Sequence, residues 1–238
     1  MHLISRFRTT SALTVLAGLA CVTSAHAQAV VDQPFTTLGS YTSQNDTRPG
    51  GLGNYDTAYD DFTVAAGANI GTVTWVGEYF NGNPAPISGF TVNFYADNAG
   101  VPGTLLQTNP IVGDANESPI GLDTFGNSMF SYSTTLPAAF GASAGTPYWM
   151  SVVPDLPMDA SFDPQWGWAI GSGGNGASYQ TFSNGGGSGG FGNFDDLAFS
   201  LTPAATPEPG SFALLAGAGL TGAACLRRRR AKKAPQVA

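Results

Sequence analysis

The sequence predicts an all-β protein, an antiparallel β-sandwich of about eight to ten strands, of which a jelly roll is one form. Three observations predict it. Between the two ends of the chain, segments that alternate large apolar with small or polar residues recur about every eight to fifteen residues. Gly, Pro, Asn and Asp punctuate them. No stretch carries a convincing helical period. A strand that alternates in this way has one apolar face, and sheets built from such strands bury those faces against each other.

At the N-terminus, Arg6 and Arg8 precede an apolar run from about Ala12 to Val22, and the small residues Ala25 and Ala27 follow. Charge, apolar stretch and small-residue site in that order make residues 1–27 a secretory signal peptide, cut by signal peptidase after Ala27. A buried N-terminal helix would need a polar face, which this run lacks. Gly18-Leu19-Ala20 places its bulky residue one position too close to Cys21 for a lipobox. Phe7 separates the two arginines, so the general unfolded-chain export route is expected rather than the twin-arginine one.

Residues 28–205 are predicted to form the β-sandwich, a length that suits one domain. "TVTWVGEYF" sets Val73, Trp75 and Tyr79 on one face, and "FTVNFY" does the same for Phe90, Val92 and Phe94. "ADNAGVPG", from Ala96 to Gly103, reads as a turn between two strands. "MFSYSTTL" aligns Phe130, Tyr132 and Leu136, "QWGWAI" aligns Trp166, Trp168 and Ile170, and "DLAFSL" aligns Leu197, Phe199 and Leu201. "GSGGNG", from Gly171 to Gly176, matches the spacing of a dinucleotide-binding fingerprint, with Asp195 further on. That fingerprint works where a parallel strand leads into a helix. Here "ASYQTFS" follows as a strand, and the glycines continue through "NGGGSGGFG", so the whole stretch reads as a flexible loop.

The C-terminus carries a second address. Pro207-Glu208-Pro209 lies in a short linker, an apolar segment spans about 211–226, and Arg227, Arg228, Arg229 and Arg230 follow, then Lys232 and Lys233. As a helix the apolar run from Phe212 reaches about 22 Å against a bilayer core of about 30 Å, so snorkelling arginines or local thinning must help it span. Clustered positive charge stays on the cytoplasmic side, leaving residues 234–238 as a cytoplasmic tail end and the body outside. The signal peptide gives the same sidedness independently.

Composition narrows the chemistry of the body. Fifteen of the sixteen acidic residues fall between Gln28 and Ala205, with Arg48 as their single basic counterpart. A polyanion of this kind is a poor partner for nucleic acid or for an anionic membrane surface. The same stretch has no Cys, His or Lys, which excludes a cysteine nucleophile, a Ser-His-Asp relay, a lysine Schiff base, a His- or Cys-based metal site and a disulfide framework. Carboxylates remain. Glycoside hydrolysis needs two of them facing across a cleft, and Asp60, Asp61, Glu78, Asp195 and Asp196 are the candidates. Neighbours on a strand point to opposite faces, so only cross-strand pairing could supply such a pair. Asp60, Asp61, Asp195 and Asp196 are also where a calcium ion would be sought, although solvated acidic loops are the favoured account and no cofactor is expected. Trp166 and Trp168 share a face and suit either a core or a sugar-stacking platform. Asn45-Asp46-Thr47 and Asn116-Glu117-Ser118 match the glycosylation sequon.

The order Pro207-Glu208-Pro209, Ser211, apolar helix and arginine cluster resembles the PEP-CTERM sorting signal of Gram-negative bacteria that make exopolysaccharide. The resemblance covers about residues 206–233, with Thr206 where Val is commonest. It implies processing near the motif by an exosortase, an intramembrane cysteine protease, while the chain is held in the inner membrane. The two prolines would keep the triplet unwound at the outer membrane face. The body, through "YDDFTV", "FTVNFYADNAGVPGTLL", "AGTPYWMSV", "WGWA" and "DDLAFSLT", more loosely resembles a domain that recurs in exported bacterial surface proteins. Together these readings lead to the expectation of a cell-surface or extracellular protein with a structural or adhesive role in an exopolysaccharide or biofilm layer. A carbohydrate-binding module and a carboxylate-based glycoside hydrolase are the alternatives.

Overall fold

The computed structural model describes residues 28–80, 84–184 and 187–205. Ala25 and Ala27, the Pro207-Glu208-Pro209 motif, the segment 211–226 and Arg227, Arg228, Arg229 and Arg230 lie outside the described residues. The first strands are β1 (Val31–Gln33), β2 (Phe35–Thr42), β3 (Gln44–Asp46), β4 (Gly53–Thr63) and β5 (Ala68–Phe80). Next come β6 (Gly89–Asp97), β7 (Pro102–Val112), β8 (Ser118–Leu122), β9 (Ser128–Ala142) and β10 (Pro147–Asp155). The last are β11 (Gln165–Gly171), β12 (Ser178–Asn184), β13 (Gly187–Asn193) and β14 (Phe199–Pro203). The described residues contain no helix, and none therefore that is long and apolar enough to cross a membrane.

The strands form two seven-stranded sheets. In the first, β5 is the spine. β9 pairs along its whole length on one side, while β14 and β11 pair with its first and second halves on the other. β8, β1 and β2 extend β9, β14 and β11 respectively. The second sheet runs β13-β12-β4-β3-β10-β6-β7, with β4 also pairing directly with β10. Pairing within the sheets is antiparallel apart from a single β3–β10 contact, Asn45 opposite Asp155.

One hydrophobic core draws on both sheets, and it holds most of the residues that the alternation marks: Val73, Trp75, Tyr79, Tyr132, Leu136, Trp166, Trp168, Leu197, Phe199 and Leu201 from the first, Phe90, Val92 and Phe94 from the second, with Phe130 half-buried against it and Ile170, at the irregularity between Ala169 and Gly171, outside it. Trp75 stacks on Tyr132 with centroids 5.5 Å apart, and Phe90 of the other sheet meets Trp75 edge-on at 5.0 Å. Such aromatic burial contributes about 1.5–3 kcal/mol per side chain, and it is what a body without cysteine must rely on. Gly77 is part of this packing. A Cβ there would overlap the Trp166 indole, which lies across the bare backbone of β5.

Among the described residues, fourteen strands exceed the eight to ten expected. The additional ones lack an apolar alternation because their buried positions are polar, as at Gln44 and Asp46 of β3, or because they have no buried face, as in β8. β3 is three residues long and polar, and all five residues of β8 are exposed. β13 corrects the flexible-loop reading of "NGGGSGGFG": Gly187–Asn193 pairs with β12 over seven residues. Its glycines leave a bare strand over which neighbouring rings lie, since a Cβ on Gly190 would strike Tyr179 and one on Gly189 would come within 2.9 Å of Phe182.

Candidate functional site

Asp60 and Asp61 lie near the end of β4, where alternation sends the first inward and the second outward. Asp60 is fully buried. Its Oδ2 accepts the Leu197 amide at 2.6 Å and its Oδ1 accepts the Asp61 amide at 2.8 Å. Oriented so that both of its ends are satisfied, the Gln33 side-chain amide donates to Asp60 Oδ2 and to the Leu197 carbonyl, each at 2.8 Å. Burial, reinforced by the charges of Asp61 and Asp196, pushes the Asp60 carboxyl well above the usual range.

Asp196 is held by the loop that resembles a nucleotide fingerprint. Its Oδ2 accepts the Gly174 amide at 2.8 Å and its Oδ1 the Gly176 amide at 2.6 Å. A Cβ on Gly174 would lie 2.6 Å from Asp196 Oδ1, and Gly176 has φ near +76°, so side chains at these two positions would break the cradle. The glycine-rich amides thus enclose an anion, as the motif's chemistry allows, and the anion is a carboxylate of the same chain. Asn175 of that loop donates to Asp61 Oδ1 at 2.8 Å. Cross-strand packing therefore joins Asp60, Asp61 and Asp196. Asp195 turns away and accepts the Tyr41 hydroxyl at 2.8 Å. Burial first, then that hydrogen bond, pushes the Tyr41 phenol up to about 12. Both carboxylate oxygens of Asp60 and of Asp196, and Oδ1 of Asp61, accept amide donors, and no set of three or more His, Cys, Asp or Glu side chains is arranged to hold a metal ion among the described residues.

Glu78 stands apart, on the opposite side of β5 from Tyr79. It is 2 % exposed, at the base of a cavity of about 350 Å³ walled by Leu38, Tyr41, Phe80 and Phe125. Ser40 donates to its Oε1 at 2.7 Å, while Oε2 finds no donor among the described residues and lies beside the Asp123 carboxylate, to which its own proton can be donated. Gly167 makes that contact possible, since a Cβ there would displace the Ser40 side chain. Burial pushes the carboxyl up to about 7, with the carboxylate of Asp123 beside it adding to the effect. Asp123 is held below its usual range, despite burial, by the amides of Asn127 and Phe125 in the β8–β9 turn. The pair is one low carboxylate against one raised carboxyl. Asp123 carries no signal in sequence, because only the turn brings it to Glu78.

Trp166 and Trp168 are fully buried, which removes them as an exposed stacking platform. The Trp166 indole donates to the Tyr132 hydroxyl at 3.0 Å, and Tyr132 and Tyr79 both donate to Glu117 Oε2, at 2.9 and 2.7 Å. Glu117, visible in the sequence only as the middle of a sequon, closes this polar line into the core. Arg48 pairs with Asp46 at 2.9 Å and lies over the Phe162 ring at 5.2 Å, so the body's only basic side chain is committed to its own fold.

The outer face of the second sheet carries tyrosines that the sequence reading did not single out. Tyr59 on β4 lies directly opposite Tyr179 on β12, with ring centroids 6.4 Å apart, and 5.4 Å from Tyr95 on β6. Each is half-buried. No protein-family model matches the chain, and no curated protein matches it.

Proposed function

We propose that the chain is an exported β-sandwich protein that is sorted through a PEP-CTERM-like signal and acts as a non-enzymatic structural or adhesive component of a cell-surface or exopolysaccharide layer. The observation that carries this reading is the layout of the ends. Two apolar segments flank a polyanionic body, and all the basic residues but Arg48 sit beside one or other of them. Signal peptidase would release residues 28–205 from the leader, the inner membrane would hold the chain by 211–226, and an exosortase would cut near Pro207-Glu208-Pro209. What supports a non-enzymatic role is the use made of the carboxylates. Asp60, Asp61 and Asp196 accept amides that tie β4, the glycine loop and the segment leading into β14 together, and Glu78 is buried against Asp123. A carbohydrate-binding module is the second reading, and the tyrosines on the outer face of the second sheet favour it over a glycoside hydrolase.

Reporter fusions after Ala205 test the sidedness. A phosphatase that is active only outside the cytoplasm should be active there, and a fluorescent protein that matures only inside should stay dark. The opposite pattern would overturn the proposal.

A further inference from the structure

We propose that the outer face of the second sheet binds an uncharged saccharide through Tyr59, Tyr95 and Tyr179 and a hydroxyl-lined hollow beside them. This rests on the carbohydrate-binding reading and gives it a site and a ligand class. The rings come from three strands and are brought together by small residues. Ser151 lies opposite Tyr59 on β10, which lets Tyr95 lean across β10 to reach Ser151 Oγ at 3.2 Å and Tyr59 at 5.4 Å. On the other side Tyr179 lies down over Gly190, where any side chain would collide with its ring. The glycine-rich strand β13 thus acts as a floor that leaves the Tyr179 ring spread along the sheet surface.

Next to Tyr59 the face opens into a hollow of about 370 Å³, lined by Asn54, Tyr55, Thr57, Thr181 and Ser183. These groups can both donate and accept hydrogen bonds. Tyr59 Oη and Thr181 Oγ1 are 3.3 Å apart, and Thr57 donates to Asn54 at 3.1 Å, so the rim is held in place. Tyr55 is 8 % exposed, and its hydroxyl has no hydrogen-bond partner among the described residues.

Aromatic faces beside paired hydroxyl and amide groups suit a sugar ring, which has an apolar C–H face and a rim of hydroxyls. The lining contains no carboxylate and no cation. An anionic polysaccharide would have to approach fifteen acidic residues with Arg48 already paired, so the chemistry selects an uncharged one.

The test is a glycan array of neutral, uronic-acid, sulfated and amino-sugar glycans, probed with the full chain in mild detergent and with its Tyr59→Ala, Tyr179→Ala and Tyr59→Phe variants, whose melting temperatures are measured alongside. The expected result is binding concentrated among neutral glycans, weakened about tenfold or more by each alanine variant and largely kept by Tyr59→Phe. No glycan bound, preference for the charged glycans, or alanine variants that bind like the parent would each overturn it. An alanine variant that melts far below the parent is replaced by Thr181→Val, which leaves the rings in place and should also weaken binding. Failure here leaves the export reading standing, since the reporter fusions test that reading alone.

Discussion

Replacing Glu78 by Gln isolates what a buried carboxyl does to this fold as pH changes. The side chain keeps its shape, can still accept from Ser40, and offers Asp123 a permanent N–H donor in place of a proton that can be lost. In the folded protein the Glu78 carboxyl titrates at about 7, against 4.5 for a free glutamate. Below pH 4.5 both folded and unfolded chains hold the proton and the group adds no pH dependence. Between 4.5 and 7 only the folded chain holds it, so stability falls as pH rises, and above 7 the accumulated loss is about 3 kcal/mol. The glutamine variant is free of this loss. At pH 8 it should be more stable than the parent by up to about 3 kcal/mol, or about 6–12 °C in Tm for a domain of this size. At pH 4 the two should nearly coincide. Guanidinium unfolding at pH 4, 6 and 8, followed through the buried tryptophans, measures both. Asp56, raised to about 6 by burial, and the raised Asp60 and Asp61 tilt both proteins equally, so the difference between the curves reports Glu78. Parallel curves, or a variant weaker than the parent at pH 8, would refute the assignment.

Three further substitutions probe other parts of the fold. Gly77→Ala should cost about 1–3 kcal/mol or more through its overlap with Trp166, measured as a drop in Tm, whereas the same change at the exposed Gly141, where a Cβ meets nothing nearer than 3.7 Å and no positive φ is required, should not show this loss. Glu117→Ala deprives the Tyr132 hydroxyl of its acceptor and should cost about 1–3 kcal/mol, with a smaller loss in a Tyr132→Phe background; equal losses would show that the two do not act together. Asp196→Ala leaves the Gly174 and Gly176 amides without their carboxylate, and amide exchange there should accelerate by about tenfold or more while β5 and β9 stay protected.

The core was legible because alternation is a direct record of burial. Val73, Trp75, Phe90, Val92, Tyr132, Trp166 and Phe199 each sit at a marked position and each is buried. Strands such as β8 and β13 were not legible, since an exposed edge leaves no apolar imprint and glycine leaves none at all. The acidic residues showed the same limit in another form. Adjacency predicted that Asp60 and Asp61 would face opposite ways, but Asp196 reaches them only through long-range packing, and Asp123 reaches Glu78 only through a turn. Glu117 and the tyrosines of the outer face were missed for a related reason: their meaning depends on register across strands, which composition and spacing do not carry.

If the body is matured outside the cytoplasm, the protein recovered from the medium or cell surface of its host should begin at Gln28 and should yield no peptide containing Arg227 to Arg230. Intact-mass and terminal-peptide mass spectrometry reads both ends in one experiment. A surface or extracellular species that retains the arginine and lysine tail, or a chain found only in the cytosol with its first residues in place, would contradict the account.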